Sequence, residues 1–108
     1  MAVSRDSLPE QLLADIKIDQ GITWNDEATE SKLRRLIASG MIYINGKLGE
    51  EADYEEDGDP RTLLFEYVRY ARDAALDVFE NNYRSMILSM QHSRQVKAYV
   101  ESTKQAEE

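Results

Sequence analysis

From Asp59 to Tyr83 the chain reads DPRTLLFEYVRYARDAALDVFENNY, and its polar positions recur with a helical period. At about 100° per residue, Glu66, Arg69, Asp73, Asp77 and Glu80 gather in a strip about 80° wide, and nearly everything else is apolar. The pattern predicts one long helix over about 59–82. Leu64, Val68, Ala71, Ala75 and Val78 form its central apolar line, flanked by Leu63, Tyr67, Tyr70 and Ala74 on one side and by Phe65, Leu76 and Phe79 on the other. A surface helix needs an apolar stripe of only about 100°, whereas this arc covers roughly 240°. Such a helix must be packed from more than one side, by its own chain or by a second copy.

The N-terminal side supplies two further helices. Residues 1–6 carry no pattern and are expected to be loose. Ser7-Leu8-Pro9-Glu10 has capping-box spacing, and the helix it predicts places Leu12, Leu13 and Ile16 on one face before Gly21 stops it. A second helix is expected over about 24–45, capped by Thr23 or Asn25, with Asp26, Glu27 and Glu30 favouring the positive end of its dipole. Its apolar face is Leu33, Leu36, Ile37, Gly40 and Ile44, with a Glu30 to Arg34 pair on the solvent side. Gly40 costs a helix about 1 kcal/mol relative to alanine. Its place on the apolar face is best explained by close approach of another helix, the long one. Ile42 points the opposite way, as an exposed residue or as a contact between subunits.

Asn45-Gly46 is a turn signal, and the stretch to Gly58 is a loop rich in carboxylates. Asp59 then caps the long helix, with Pro60 in its first position. After Asn81 and Asn82, poor residues for a helix interior, comes a C-terminal helical segment with Met86, Ile87 and Met90 as core-filling residues. Beyond Gln91 only Val96, Tyr99 and Val100 are apolar at helical spacing, so residues from about 92 to 108 are expected to be flexible and helical only when docked. The fold class predicted is all-α: a single domain over 1–108, a small helical bundle organised around one long central helix.

Composition narrows the partners. With 42% hydrophobic and 31% charged residues the chain has the makings of a folded domain, and no apolar run approaches the length of a membrane span. The N-terminus MAVSRDSLPE lacks the apolar core of a signal peptide, which gives a cytoplasmic expectation. The absence of cysteine excludes disulfides and thiolate metal sites. Thirteen basic against twenty-one acidic residues give a net charge of −8, which argues against nucleic acid or an anionic membrane as a tightly held ligand. Partners should be proteins.

Little chemistry is encoded. Asp53, Glu55, Asp57 and Gly58 match the opening of an EF-hand calcium loop, but Leu64 stands where the bidentate glutamate is required and Pro60 starts a helix inside the would-be loop. His92 is the only histidine and reads as a surface residue. No hydrolase, metalloprotease, P-loop or dinucleotide fingerprint is present, so neither an enzyme nor a cofactor or metal is expected. Arg72 falls within the apolar arc of the long helix, where a guanidinium needs a carboxylate, from this chain or from a neighbouring subunit.

The run ITWNDEATESKLRRLIASGMIYIN at residues 22–45, the acidic loop, and the run from Asp59 to Tyr83 together resemble the head-tail connector, or adaptor, proteins of tailed bacteriophages. The likeness is greatest to those of phages and prophages of Gram-positive bacteria. It rests on the TW-x-D-E opening at Thr23 to Glu27 and the P-R-x-L-L start at Pro60 to Leu64, and it spans about Leu8 to Gln91. The resemblance implies an all-helical structural protein of the virion, assembled in the host cytoplasm, with no enzymatic activity. It also implies a ring of about a dozen copies beneath the portal protein, meeting head-completion or tail-side proteins below, with DNA passing through the channel. By this analogy Arg94, Val96, Tyr99 and Val100 are candidates for docking to the portal. The flank carrying Phe65, Arg72, Leu76 and Phe79, together with Ile42, is the candidate contact between subunits. The rival expectation is an acidic helical regulator, such as a DNA-mimic inhibitor of a nucleic-acid-binding protein, with carboxylates arrayed at phosphate-like spacing.

Overall fold

The computed structural model describes residues 3–4, 7–23 and 26–107, with side chains as far as Lys104. Among these residues the chain is all-α and contains no strand: α1 spans Glu10–Asp19, α2 Glu27–Leu48, α3 Asp59–Arg72 and α4 Leu76–Glu107. α3 runs back along α2, and α4 runs back along α3.

α1 begins without the expected capping box. Pro9 occupies the cap position, no side chain caps the helix, and the Ser7 hydroxyl donates instead to the carbonyl of Ser4. Val3, within the stretch expected to be loose, packs against the core; residues 1, 2, 5 and 6 of that stretch lie outside the described residues. The far end of α1 is as expected. Gly21, at φ 71°, terminates the helix, and the amide of Ile22 donates to the carbonyl of Lys17 at 2.8 Å. α1 buries Leu12, Leu13 and Ile16.

α2 is capped by Asp26, whose carboxylate accepts from the Thr29 amide at 3.1 Å, rather than by Thr23; Asn25 lies outside the described residues. The helix does not stop at Asn45-Gly46. It continues to Leu48 and ends on Gly49 at φ 83°. The reason is tertiary: Asn45 Oδ1 accepts from the Ala52 amide at 3.1 Å and from the Tyr54 hydroxyl at 2.6 Å, so the side chain organises the loop while its backbone stays helical. Gly40 does mark a close approach. A Cβ there would lie 2.8 Å from both Leu64 Cδ1 and Tyr67 Cδ1, which seats α3 directly on the α2 backbone.

The expected continuous helix over 59–82 is instead a hairpin. α3 starts at Asp59 with Pro60 in its first turn, but Asp59 does not cap it: Gly58 holds the cap position without any side-chain cap, its carbonyl accepting from the Thr62 amide at 3.1 Å; the helix ends at Arg72, and residues 73–75 reverse the chain. The amide of Ala75 donates to the carbonyl of Tyr70 at 2.8 Å, and Ala74 adopts φ 55°. α4 then runs unbroken through Asn81 and Asn82 to Glu107, so residues 92–107 belong to the same helix.

The hairpin wins because it folds Phe79 into a cage of rings. Phe79 is 2% exposed, and its ring centroid lies 6.0 Å from Tyr43, 5.5 Å from Tyr67, 5.6 Å from Tyr70 and 5.2 Å from Tyr83. Ile87 and Met90 continue the same buried face of α4. With Leu33, Ile37 and Ile44 of α2 and Leu63, Leu64 and Val68 of α3 they form one core. The wide apolar arc is therefore covered largely within the chain.

Candidate functional site

The sequence-predicted contact residues separate once the chain is folded. Ile42 stands 58% exposed on the outer face of α2, and Leu76 is 40% exposed at the start of α4. Phe79 does not belong with them: turning at residues 73–75 swings it off the surface and into the core. Phe65 is half-buried beneath the guanidinium of Arg61, whose central carbon lies 4.7 Å from the ring centroid.

Arg72 is exposed and has no carboxylate at ion-pair distance among the described residues. Its Nη1 instead faces Gln20, donating to Oε1 at 3.3 Å with the backbone carbonyl at 3.5 Å. It borders an open groove of about 310 Å³ between the start of α2 and the end of α3, lined by Ile22, Thr29, Lys32, Leu33, Leu36, Arg72 and Asp73.

Arg61 of the same helix does take a half-buried carboxylate from another element. It donates to Asp15 Oδ2 at 2.9 Å and to the carbonyl of Tyr54 at 3.0 Å, so one side chain joins α1, the acidic loop and α3. The hydrogen bond from Arg61 holds the Asp15 carboxyl below its usual range. Only the one-turn distance from Asp57 and the Pro-Arg helix start distinguish Arg61 in the sequence, and both read equally well as surface features.

The acidic loop is a pinned structure. Tyr54 is buried within it, and burial pushes its phenol well above the usual value. Its hydroxyl donates to Asn45, with the Met41 carbonyl 3.2 Å away. Asp53 accepts from the amide of Glu55 at 3.0 Å, and Asp57 faces Arg61 at 3.9 Å, so two of the carboxylates in the calcium-like spacing serve the loop itself.

The second surface lies on α4. Gln91 Nε2 donates to the carbonyl of Lys47 at 2.8 Å, satisfying an orphan acceptor in the last turn of α2. Arg94 Nε lies 3.3 Å from Glu50 Oε1, a charge contact without hydrogen-bond geometry. From Gln95 to Lys104 every residue is exposed. Along this arm Val96, Tyr99 and Val100 line one face, with Tyr99 74% exposed. Arg94 thus anchors the arm to the body, and the three apolar residues face solvent.

Beside the aromatic cage, Lys47 Nζ and Glu80 Oε1 pair at 2.6 Å. Their hydrogen bond holds the Glu80 carboxyl low and the Lys47 ammonium high. The Tyr43 hydroxyl is buried without a partner in hydrogen-bonding geometry; burial, with the nearby Glu80 charge adding to it, pushes its ionisation up. Tyr83 donates to Glu66 at 2.8 Å, and burial chiefly pushes its phenol up to about 12. Glu66 also pairs with Arg69.

Among the described residues, no group of acidic or histidine side chains is placed to hold a metal ion, and no helix is long and apolar enough to cross a membrane. His92 is exposed on α4. No family model, curated protein or solved structure matches the chain.

Proposed function

We propose that this chain is a structural adaptor of a tailed bacteriophage, a head-tail connector that assembles as a ring beneath the portal protein and receives the tail-side or head-completion proteins. The observation that carries the reading is the arm. A helix anchored at Gln91 and Arg94 continues for about three turns with Val96, Tyr99 and Val100 uncovered on one face, which is the form of an element that inserts into a groove on a protein partner. On the body, Ile42 and Leu76, with the groove beside Arg72 and Leu36, offer surfaces to neighbouring copies alongside the exposed Ile18, Val78 and Leu88, whereas Phe79 is not on the surface. A ring needs two unlike patches on each subunit, and these are unlike. The net charge of −8 suits a channel through which DNA slides without sticking.

A DNA mimic would carry its carboxylates on rigid helix faces at phosphate-like spacing. Here Glu50, Glu51, Asp53, Glu55, Glu56 and Asp57 sit together in one loop, and the helical carboxylates Asp15, Glu30, Glu66 and Glu80 pair with Arg61, Arg34, Arg69 and Lys47 instead of standing free on a face, which favours the connector. The test is to mix the purified protein with the portal of its phage and look for a ring by electron microscopy or native mass spectrometry. Tyr99→Ser combined with Val96→Ser should abolish ring formation while leaving the thermal midpoint of the free protein unchanged. A protein that ignores the portal at every salt concentration, yet binds a host DNA-binding protein tightly, is not a connector.

A further inference from the structure

α1 and α3 end in the same backbone motif, with different residues in the demanding position. In both, a residue of left-handed conformation follows the helix, and the next amide reaches back to a carbonyl one turn earlier, from Ile22 to Lys17 and from Ala75 to Tyr70. In α1 the left-handed residue is Gly21. In α3 it is Ala74, the only residue other than glycine with positive φ among the described residues. An L-side chain is sterically penalised there. Ala71 to Asp77 contains no glycine or proline and has three alanines, the strongest helix former. Left to itself, this connector would continue α3 straight into α4.

What holds the reversal is the docking of α4. Its contacts include Phe79 on Tyr43, Tyr67 and Tyr70, Tyr83 on Glu66, Asn82 on Tyr70, Glu80 on Lys47, and Gln91 on the Lys47 carbonyl. Each of these joins α4 to α2 or α3, and none requires that α4 belong to the same chain. We propose that α3 and α4 fuse into one helix and that α4 then seats on the α2–α3 pair of a second copy of this chain, which returns its own α4 in exchange. The exchanged pair keeps all the docking contacts and closes on itself through a two-fold axis. Only the connector differs, and it is the connector that is strained in the closed form. A short strained hinge between two well-packed elements favours this kind of exchange. The fused helix would be about 70 Å long at 1.5 Å per residue, against 55 Å for the longest dimension of the closed chain.

The experiment compares wild type with Ala74→Gly after refolding from denaturant at high protein concentration, with mass read by light scattering on a sizing column. Glycine relieves the left-handed turn and weakens the fused helix in both chains, so the substitution should lower the dimer-to-monomer ratio on the order of a hundredfold. Ala74→Val, whose branched side chain tolerates left-handed φ least, should raise it. Small-angle scattering should give the wild-type dimer a longest dimension well beyond that of the monomer. Wild type that stays monomeric at every refolding concentration would overturn the proposal. So would Ala74→Gly dimerising as readily as wild type, because the contact would then lie on an ordinary surface. If Ala74→Val does not fold, the wild-type and Ala74→Gly ratio decides alone.

Discussion

Two glycines of α2 make a matched pair of opposite expectation. Gly46 lies inside the helix with nothing within 4 Å of the place its Cβ would take, so Gly46→Ala should stabilise the protein by about 1 kcal/mol through helix propensity alone. Gly40→Ala makes the same backbone gain, but its methyl would sit 2.8 Å from Leu64 Cδ1 and Tyr67 Cδ1. Leu64 is fully buried and the half-buried Tyr67 ring packs edge-on to Phe79, so neither neighbour withdraws without disturbing the core. Overpacking of this kind costs about 1–3 kcal/mol, leaving Gly40→Ala destabilised by up to about 2 kcal/mol after the propensity gain is deducted. The two variants should therefore separate by about 1–3 kcal/mol in urea unfolding, with thermal midpoints moving in opposite directions. Equal stabilisation of both would show that α3 does not rest on α2 at Gly40, and the packing of the bundle as described would be wrong.

Phe79→Ala should cost about 3–5 kcal/mol and lose the near-ultraviolet signal of the ring cage, whereas Ile42→Ser and Leu76→Ser should leave the unfolding midpoint within the spread of surface substitutions. Asn45→Ala strips partners from both the Ala52 amide and the buried Tyr54 hydroxyl, and should cost about 2–3 kcal/mol with faster proteolysis in the 50–58 loop. The folded-state carboxyls of Asp15 and Glu80 are depressed, so their contribution is complete above their ordinary values of 3.8 and 4.5 and is lost as pH falls through the depressed ones; Asp15→Asn should flatten the acid limb of a stability–pH curve. Tyr83 is raised, so its contribution is complete below 10.0 and is lost as pH rises through about 12, and the part of the tyrosinate absorbance that Tyr83→Phe removes should appear together with alkaline unfolding.

Features set by the chain's own period were legible before the fold was known. The buried faces of α1 and α2, the stop at Gly21, the start at Pro60 and the close approach at Gly40 all follow from spacing and from what glycine and proline do to a backbone. The turn at residues 73–75 was not legible, because nothing local favours it: an alanine-rich stretch reads as helix, and only the aromatic cage some residues away reverses it. Phe79 moved from flank to core for the same reason. Asn45-Gly46 read as a turn because the sequence cannot show that Ala52 and Tyr54 draw the asparagine side chain away from its own backbone. Arg72 stands out only on a helical wheel that the hairpin interrupts one residue later, while Arg61, which does hold a carboxylate, is hidden by its place in a helix start.

The unbroken run of α4 through Arg94 into the arm also fixes a phase. Because no flexible joint separates Arg94 from Tyr99, the direction in which the apolar stripe faces is set by the seating of α4 on the body. One residue inserted at Gln95 would turn Val96, Tyr99 and Val100 by about 100° around the helix axis, whereas four would bring them back to within about 40° at a spacing about 6 Å further out. The arm therefore behaves as a key cut at a fixed angle to its shaft. A partner of the kind proposed for the arm would have to match the orientation of the bundle as well as three side chains.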